Sequence, residues 1–285
     1  MIQSMTGYGK AVTELSQKKV TIEIKTLNSK NLDLNVRVPS MYREKELEIR
    51  SKLSQQLFRG KVDFSIYIES TGSETTSTIN QEVVNNYIDQ LRSVTEVASE
   101  SLLEIAMRLP DVLKTNREEF DETEWTEIEK TIDEAIEEVL VYRADEGAVL
   151  AHDFTTRIKN IQKLSAEVVD LDIQRLAQVR ERIEKAVSDL VQNVDENRFE
   201  QELIYYLEKL DITEEKVRLK NHLDYFLQAL LSEESNGKKL GFICQEIGRE
   251  INTTGSKSNF APMQKVVVQM KDELEKIKEQ LLNVL

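Results

Sequence analysis

Apolar and polar residues alternate in three segments within the first 70 residues of this 285-residue chain. Alternation is typical of strands with one buried face, whereas apolar spacings of three and four are typical of amphipathic helices. The alternating apolar positions are Val20, Ile22 and Ile24, then Leu32, Leu34, Val36 and Val38, then Val62, Phe64, Ile66 and Ile68. We predict a strand for each segment, with a turn at residues 28–31 joining the first two as a β-hairpin. The N-terminus should therefore be an antiparallel sheet.

Helical spacing occurs between the second and third strands and again after residue 80. In the first of these segments, Leu47, Ile49, Leu53 and Leu57 predict a helix that packs on the sheet, and Arg59-Gly60 would end it. The whole pattern predicts an α+β fold in three parts. Residues 1–155 would hold the sheet, its helix and an acidic helical region, residues 156–200 a long connecting helix, and residues 201–285 a helical C-terminal domain.

Two later stripes of apolar residues recur at spacings of three and four. One is Leu176, Val179, Ile183, Ala186 and Leu190, and the other is Val267, Met270, Leu274, Ile277, Leu281 and Val284. Each stripe needs a partner helix, which could belong to the same chain or to another copy. Because charge interrupts neither stripe, we favour a homo-oligomer.

Charge is distributed unevenly along the chain. The net charge is −14, which argues against a nucleic-acid partner because phosphate binding draws on lysine and arginine. However, residues 1–70 carry 12 basic and 8 acidic side chains, and residues 236–285 carry 8 basic and 6 acidic ones. The acid is concentrated in residues 71–150, with 20 acidic and 6 basic side chains. The two mildly basic ends could form a local anion site, or the distribution could be chance.

Cysteine and histidine are scarce. Cys244 is the only cysteine, so an internal disulfide and a cysteine-rich zinc cluster are excluded, and its apolar neighbours predict a buried position. His152 and His222 are the only histidines. A bound cation would therefore rest mainly on carboxylates, which favours Mg²⁺ or Mn²⁺ over Zn²⁺. No apolar run is long enough to cross a membrane and the N-terminus lacks a leader pattern, so we expect a cytoplasmic protein.

The segment QEIGREINTTGSKSN at residues 245–259 has the densest set of reactive side chains. On a helix, Glu246 and Glu250 would lie one turn apart on one face with Arg249 beside them. Such a pair could hold a hard divalent cation, or it could be an ordinary surface face with a weak ion pair. We predict that residues 252–259 form a loop after this helix. The loop could donate hydrogen bonds to phosphate, or it could be a rigid connection between helices.

A second polar stripe lies on the helix expected after residue 211. Asp211, Glu215, Arg218 and His222 follow one another at steps of four, three and four, with Glu214 alongside. Part of the stripe has a structural explanation, since Asp211 and Glu214 have capping-box spacing and Glu214 with Arg218 is an ordinary helix ion pair. His222 could act as a general acid or base near neutral pH, or it could simply be solvated.

In the N-terminal part, three expected turns carry glycine or basic residues. Lys30, Arg59 and Lys61 could contact phosphates or remain solvated. Gly7 and Gly9, in MTGYG, are expected to serve backbone geometry at a turn. Gly147 lies within a helical pattern and would cost about 1 kcal/mol relative to alanine, which predicts close packing.

Taken in order, these segments resemble the YicC/YloC family of bacterial endoribonucleases over nearly the whole chain. The matching motifs are MTGYG at 5–9, LNSKNLDL at 27–34 with VP at 38–39, RGK at 59–61, R-x-x-EG-x-x-L-x-x-D at 143–153, K-x-DI-x-EE-x-x-RL-x-x-H at 209–222 and G-x-x-L-x-F-x-x-QE-x-x-RE-x-NT-x-GSK-x-N at 237–259. The last of these is the most specific. The chain departs from the family at Gly241, where aspartate is usual, and at Lys30, which would replace an arginine.

The resemblance implies metal-dependent cleavage of RNA by a hexamer that holds RNA between the N-terminal region and the helical C-terminal domain. By this resemblance, a Mn²⁺ or Mg²⁺ ion would be held by Glu246 and Glu250, assisted by Glu214 or Glu215. Arg249 and Lys257 would offset phosphate charge, and His222 would transfer a proton. Asn252 and Ser256 would orient the phosphate, while Lys30, Arg59 and Lys61 would grip the strand.

Three functions remain open from the sequence: a metal-dependent endoribonuclease acting on single-stranded or structured RNA, a non-catalytic RNA-binding adaptor, and a helical structural oligomer. If it is a nuclease, attack by a ribose 2′-OH would leave a 2′,3′-cyclic end, with His222 as base. Attack by metal-activated water would leave a 5′-phosphate. We favour the second because histidine is scarce.

Overall fold

A computed structural model describes residues 2–71, 77–95, 98–115, 121–189, 196–232 and 236–285. Its main sheet has four strands: β1 (Gly7–Glu14), β2 (Lys18–Leu27), β3 (Leu32–Arg37) and β4 (Gly60–Ser70). The spatial order is β1-β2-β4-β3. Strand β2 is antiparallel to both β1 and β4, whereas β3 is parallel to β4. The sheet is therefore mixed, and the predicted hairpin over residues 20–38 is wrong.

The helix between β3 and β4 explains this pairing. A short 3-10 helix (Ser40–Lys45) and α1 (Glu46–Leu57) connect the two strands, and a helical crossover brings consecutive strands together in parallel. The predicted helix and its end are confirmed, since Gly60 has a φ of +116° and begins β4. The predicted strand faces are confirmed too. Val20, Ile22, Ile24, Val62 and Phe64 are fully buried against α1 and the next long helix.

The remaining described elements are mostly helical. They are β5 (Ser77–Ile79), α2 (Gln81–Val94), α3 (Ser99–Ala106), β6 (Leu113–Thr115), α4 (Glu122–Asp189), α5 (Glu196–Lys209), α6 (Thr213–Leu230), α7 (Gly237–Lys257) and α8 (Ala261–Leu281). β5 and β6 pair as a separate antiparallel ribbon. The 68-residue α4 packs on the sheet at one end and on α6 and α8 at the other, so it joins the α+β part to the helical part that the sequence predicted. No helix in the described ranges is apolar over a length that could cross a membrane.

The C-terminal apolar stripe is covered within the chain. Val267, Met270, Leu274 and Ile277 on α8 are buried in the same core as α7 and α4. This stripe therefore does not provide an interface between copies, because its partner helices belong to its own chain. On α4, Leu176 of the other stripe is partly exposed and Val179 is buried, while residue 190 lies outside the described residues.

The last four residues tie both parts of the chain together. Met5 N donates to Asn283 O at 2.7 Å, and Leu285 N donates to Gln3 O at 3.0 Å. The side chain of Asn28, in the β2–β3 connection, donates to Leu282 O at 2.7 Å, while Gly237 N at the start of α7 donates to Leu285 O at 2.9 Å. The β2–β3 connection and the first turn of α7 therefore lie beside the same short C-terminal segment.

Close packing explains several glycines. Gly7 and Gly9 lie in β1, not at a turn. They are glycines because α4 crosses directly over this strand and leaves no room for a side chain. A Cβ at Gly9 would be 2.2 Å from Ala135 O on α4, and a Cβ at Gly147 would be 2.2 Å from Ile2 O. The close-packing role predicted for Gly147 is confirmed. Gly241 differs, since a Cβ there would meet nothing within 4 Å.

We predict opposite effects for alanine at two helical glycines. Gly147→Ala should lower the free energy of unfolding by about 1–3 kcal/mol, because its methyl group overlaps the Ile2 carbonyl. Gly241→Ala should raise it by roughly 0.5–1 kcal/mol, because only helix propensity changes. Urea denaturation of both variants measures the difference. Stabilisation by Gly147→Ala would contradict the close approach of the N-terminal segment to α4.

Candidate functional site

Helices α6 and α7 form an antiparallel pair, and two contacts between them mark the ends of a polar groove. At one end Lys257 Nζ lies 2.8 Å from Glu215 Oε1, and at the other Lys239 Nζ lies 5.1 Å from the ring centroid of Tyr225. We call this the α6–α7 groove. By helix geometry we assign to it Glu215, Arg218, His222 and Tyr225 on α6, Asp211 just before α6, and Lys239, Glu246, Glu250 and Lys257 on α7. Lys239 and Lys257 are 18 residues apart, about 27 Å along α7.

The predicted acid pair lies in the middle of this groove. Glu246 and Glu250 are both within α7 and one turn apart, so they share a face, as the sequence predicted. Glu250 is only 4% exposed, and Glu246 is half-buried. Among the described residues neither carboxylate has an ion-pair partner. A buried carboxylate without a cation costs free energy, and such groups are concentrated at functional sites.

Glu215 is buried at the same interface in a different environment. It is 6% exposed, and its Oε1 pairs with Lys257, whose Nζ also donates to Asp211 O at 2.8 Å. The other oxygen, Oε2, is buried and has no hydrogen-bond partner within the part of the chain that the structure describes. The charge of Lys257 is thus already matched by a carboxylate, and this lysine holds one end of the groove together.

Glu214 does not reach the acid pair. Neighbouring residues on a helix differ by about 100° in direction, so Glu214 lies to one side of Glu215 and does not face α7 with it. It forms an ion pair with Arg218 and keeps 67% of its side chain exposed. In the described ranges, no three acidic, histidine or cysteine side chains come close enough together to hold a metal ion. The expected set of Glu246, Glu250 and Glu214 is therefore not assembled in this conformation of the single chain.

The expected phosphate-binding loop is helical through residue 257, so this prediction is wrong. Helix α7 continues through Lys257, and the backbone amides of residues 252–257 belong to the helix. Asn252 is exposed and lies two residues beyond Glu250, nearly on the opposite side of the helix. Ser256 Oγ donates to Thr253 O at 2.9 Å. The helix continues because Gly255 packs on α8, where a Cβ would be 3.0 Å from Val267.

Arg249 and His222 lie beside the acid pair on opposite helices. The guanidinium of Arg249 is on the exposed side of α7 and has no ion-pair partner among the described residues. Its direction differs from that of Glu250 by about 100°. His222 is half-buried on α6, one turn before Tyr225 and one turn beyond Arg218. Glu215 and Tyr225, which both contact α7, lie on either side of His222 along α6, so His222 faces the groove.

The basic N-terminal residues lie in or beside the β2–β3 connection, which borders the same C-terminal segment as the start of α7. Lys30 and Lys61 are exposed, and Arg59 Nε donates to Ser29 O at 3.1 Å. Lys61 is in strand β4, not at a turn, opposite Leu27 and Asp33. The β2–β3 connection, which contains Lys30, and the start of α7 both form hydrogen bonds with the C-terminal segment 282–285.

Arg143 holds the backbone of this basic segment in place, a role that the sequence did not reveal. Its guanidinium is almost completely buried and donates to the carbonyl oxygens of Leu57 and Arg59 at 3.2 and 3.3 Å. Burial lowers the pKa of Arg143 to about 10. Arg143 therefore fixes the backbone between α1 and β4, which contains Arg59 and immediately precedes Lys61.

A second buried arginine organises the other end of the groove. Arg175 on α4 is 1% exposed and pairs with Asp172, whose second oxygen accepts from Lys216 at 2.9 Å. Its NH1 and NH2 groups donate to Lys257 O at 3.0 Å and Leu210 O at 2.9 Å. Arg175 thus joins the end of α7 and the residues before α6 to α4. The available sequence signal was its position, with Asp172, between Val168 and Val179 at core spacing.

Two further sequence features have plain structural outcomes. Cys244 is fully buried, and burial raises the pKa of its thiol to about 12, which confirms the prediction of a small buried apolar residue. Gly241 lies nine residues before Glu250, half a turn away in direction. An aspartate at this position would point away from the acid pair, so its absence removes no acid from the groove.

Family models cover both parts of the chain. Residues 2–152 match "Endoribonuclease YicC-like, N-terminal region" and residues 168–285 match "Endoribonuclease YicC-like, C-terminal". The chain belongs to the YicC-like endoribonuclease family. It is similar to a protein named probable endoribonuclease YicC from Clostridioides difficile strain 630, with 32% identity over 300 residues and both chains fully covered. Another relative of the same name, from Haemophilus influenzae, is 29% identical over 287 residues, again with full coverage of both chains.

In this YicC-like chain, we predict that Arg175 is far more important for stability than an exposed arginine on the same helix. Arg175→Met should lower the free energy of unfolding by about 3 kcal/mol, because it leaves two carbonyls and a buried aspartate short of a donor. The control is Arg180→Gln, which breaks an exposed pair with Glu184 and should cost about 0.5 kcal/mol or less. Equal effects in urea denaturation would show that the α4 junction does not fix the groove.

Proposed function

We propose that this protein is an endoribonuclease that cuts RNA in the α6–α7 groove, at a phosphate held beside Glu246 and Glu250. The observation that carries the proposal is Glu250, a buried carboxylate without an ion-pair partner among the described residues, one turn from a second acid. Buried charges without a partner are concentrated at functional sites, and phosphoryl chemistry uses acids to bind cations or to move protons. Membership of the family supports RNA as the substrate.

The strand would enter from the basic end of the groove. Lys30, Arg59 and Lys61 in the N-terminal part and Lys239 on α7 lie around the same C-terminal segment. Contacts to phosphates hold a strand without selecting its sequence, which suits an enzyme for single-stranded or structured RNA. Arg249, next to the acid pair, would offset the charge that develops on the scissile phosphate. Lys257 would mainly hold the groove closed through Glu215, so we assign it a smaller share of this role.

A divalent cation fits the groove only in a limited way. With Glu214 paired to Arg218 and Glu215 paired to Lys257, two carboxylates remain, Glu246 and Glu250. Mg²⁺ is commonly bound by one or two carboxylates together with substrate phosphates and water, so these acids suit a Mg²⁺ or Mn²⁺ ion that is completed by RNA. Such an ion would polarise the phosphate or activate water. Asn252 and Ser256, which face elsewhere, are left without a phosphate-orienting role.

We further propose a homo-oligomer, a hexamer by resemblance to the family, that closes around RNA. Support comes from α4, where Val169, Ile173 and Leu176 form an exposed apolar row at spacings of four and three, with Ile173 68% exposed. This row overlaps the first of the two stripes that the sequence indicated. An RNA-binding adaptor without activity is the second candidate, because the basic segment alone would bind RNA.

The central test compares two glutamates that the sequence did not distinguish. Glu250→Gln should reduce internal cutting of a labelled RNA by about 100-fold or more, while the free energy of unfolding stays equal or rises because a buried charge is removed. Glu214→Gln should leave cutting within about twofold. Cutting should also disappear in chelator and return with Mn²⁺. If Glu250→Gln binds and cuts RNA normally, the proposed site is wrong, and binding by wild-type protein without any cutting would favour the adaptor.

A 2′-deoxy substitution at the cleaved position separates the two mechanisms. We expect that cutting continues and that products carry a 5′-phosphate, because the groove contains a single histidine and water is the simpler nucleophile. His222→Gln should then slow cutting by about 10²-fold if the imidazole moves a proton at the phosphate. Loss of cutting at the deoxy position, with 2′,3′-cyclic ends on normal RNA, would instead assign the attack to the ribose 2′-OH.

A further inference from the structure

We propose that Tyr225 and Phe242, together with Lys239, form a base-stacking subsite at the basic end of the α6–α7 groove. Its ligand would be an unpaired nucleobase of the RNA strand, one or two nucleotides from the phosphate at Glu246 and Glu250. The proposal rests on the proposed function and adds to it the part of the substrate that this end of the groove binds.

The three side chains occupy adjacent turns of two packed helices. Phe242 is 63% exposed and precedes Glu246 by one turn of α7. Tyr225 is 45% exposed and follows His222 by one turn of α6. Lys239 lies one turn before Phe242, and its ammonium group is 5.1 Å from the Tyr225 ring centroid. The lysine therefore contacts one ring and lies one helical turn from the other, and both rings are exposed near the acid pair.

The electrostatics of the groove favour such a subsite. Glu246 and Glu250 repel the phosphates that must approach them, so the affinity for RNA has to come from neighbouring groups. An aromatic ring stacks on any base through its face, without a charge and without selecting a sequence. The ammonium of Lys239 is positioned to contact the phosphate next to a stacked base while it remains close to the Tyr225 ring.

The pattern of neighbours favours RNA over a second copy of the chain as the occupant. A partner helix would need a continuous apolar stripe at spacings of three and four. Around Phe242 the neighbours one turn away on this face are Lys239 and Glu246, both charged. Isolated exposed rings among charges, with Lys239 beside one of them, are instead typical of surfaces that bind single-stranded nucleic acid.

The first experiment measures binding without cutting. Fluorescence anisotropy of a short labelled single-stranded RNA is recorded with the full-length protein in chelator. Phe242→Ala and Tyr225→Ala should each weaken binding by about 5- to 100-fold. Phe242→Tyr and Tyr225→Phe, which keep the ring, should bind within about twofold of wild type. The control is Tyr205→Ala, at a tyrosine on α5 outside the groove that is 65% exposed, about as much as Phe242, and it should have no effect.

Abasic RNA then tests stacking directly. With one base removed at successive positions, wild-type protein should lose affinity at one or two positions, and Phe242→Ala should lose nothing more there. Equal weakening of intact and abasic RNA by Phe242→Ala overturns the proposal. Dissociation of the oligomer by Phe242→Ala, measured by light scattering, also overturns it, because the rings would then belong to an interface between copies. Cutting that still depends on Glu250 at saturating RNA would, in either case, leave the proposed function intact.

Discussion

The groove between α6 and α7 depends on the guanidinium of Arg175. This group forms an ion pair with Asp172 on its own helix and donates to the carbonyl oxygens of Leu210 and Lys257. One side chain thus fixes the residues before α6 and the end of α7 against α4. A buried ion pair is weak evidence for stability, because apolar side chains of the same volume often serve as well. Its contribution here is geometric, since it sets the register of two helices whose facing side chains form the candidate site.

Local patterns in the sequence were sufficient to locate the strands, but they did not predict which strands pair with each other. Alternation identifies buried faces, and every predicted inward position of β2 and β4 is covered. Strand order depends on contacts between distant residues, and α1 carries the chain over to the far side of β4. The predicted end of α7 was wrong for a related reason. Asn252, Thr253 and Gly255 have low helix propensity, but packing of Gly255 on Val267 outweighs it.

The candidate site shows the same division between local and distant information. The one-turn spacing of Glu246 and Glu250 is a property of a single helix, so the sequence was enough to pair them. Glu214 and Glu215 could not be ranked, because only the position of α7 decides which of two adjacent residues is buried. Arg143 and Arg175 were missed since a charged residue within a helical pattern is usually solvated. Asp172 and Arg175, however, stand at core positions between Val168 and Val179, and that placement was visible.

Two buried glutamates at one interface differ in whether they have an ion-pair partner, and this contrast is the strongest argument for function. Glu215 has Lys257 within 2.8 Å, as expected for a carboxylate that serves the fold. Glu250 is equally buried on the facing helix and has no cation among the described residues. Of the two acids, only Glu215 has an ion-pair partner among the described residues, and its Oε2 still lacks a hydrogen-bond partner. The proposed phosphate and its counter-ion would approach Glu250 from the exposed side of the groove, where Arg249 and His222 lie beside the acid pair.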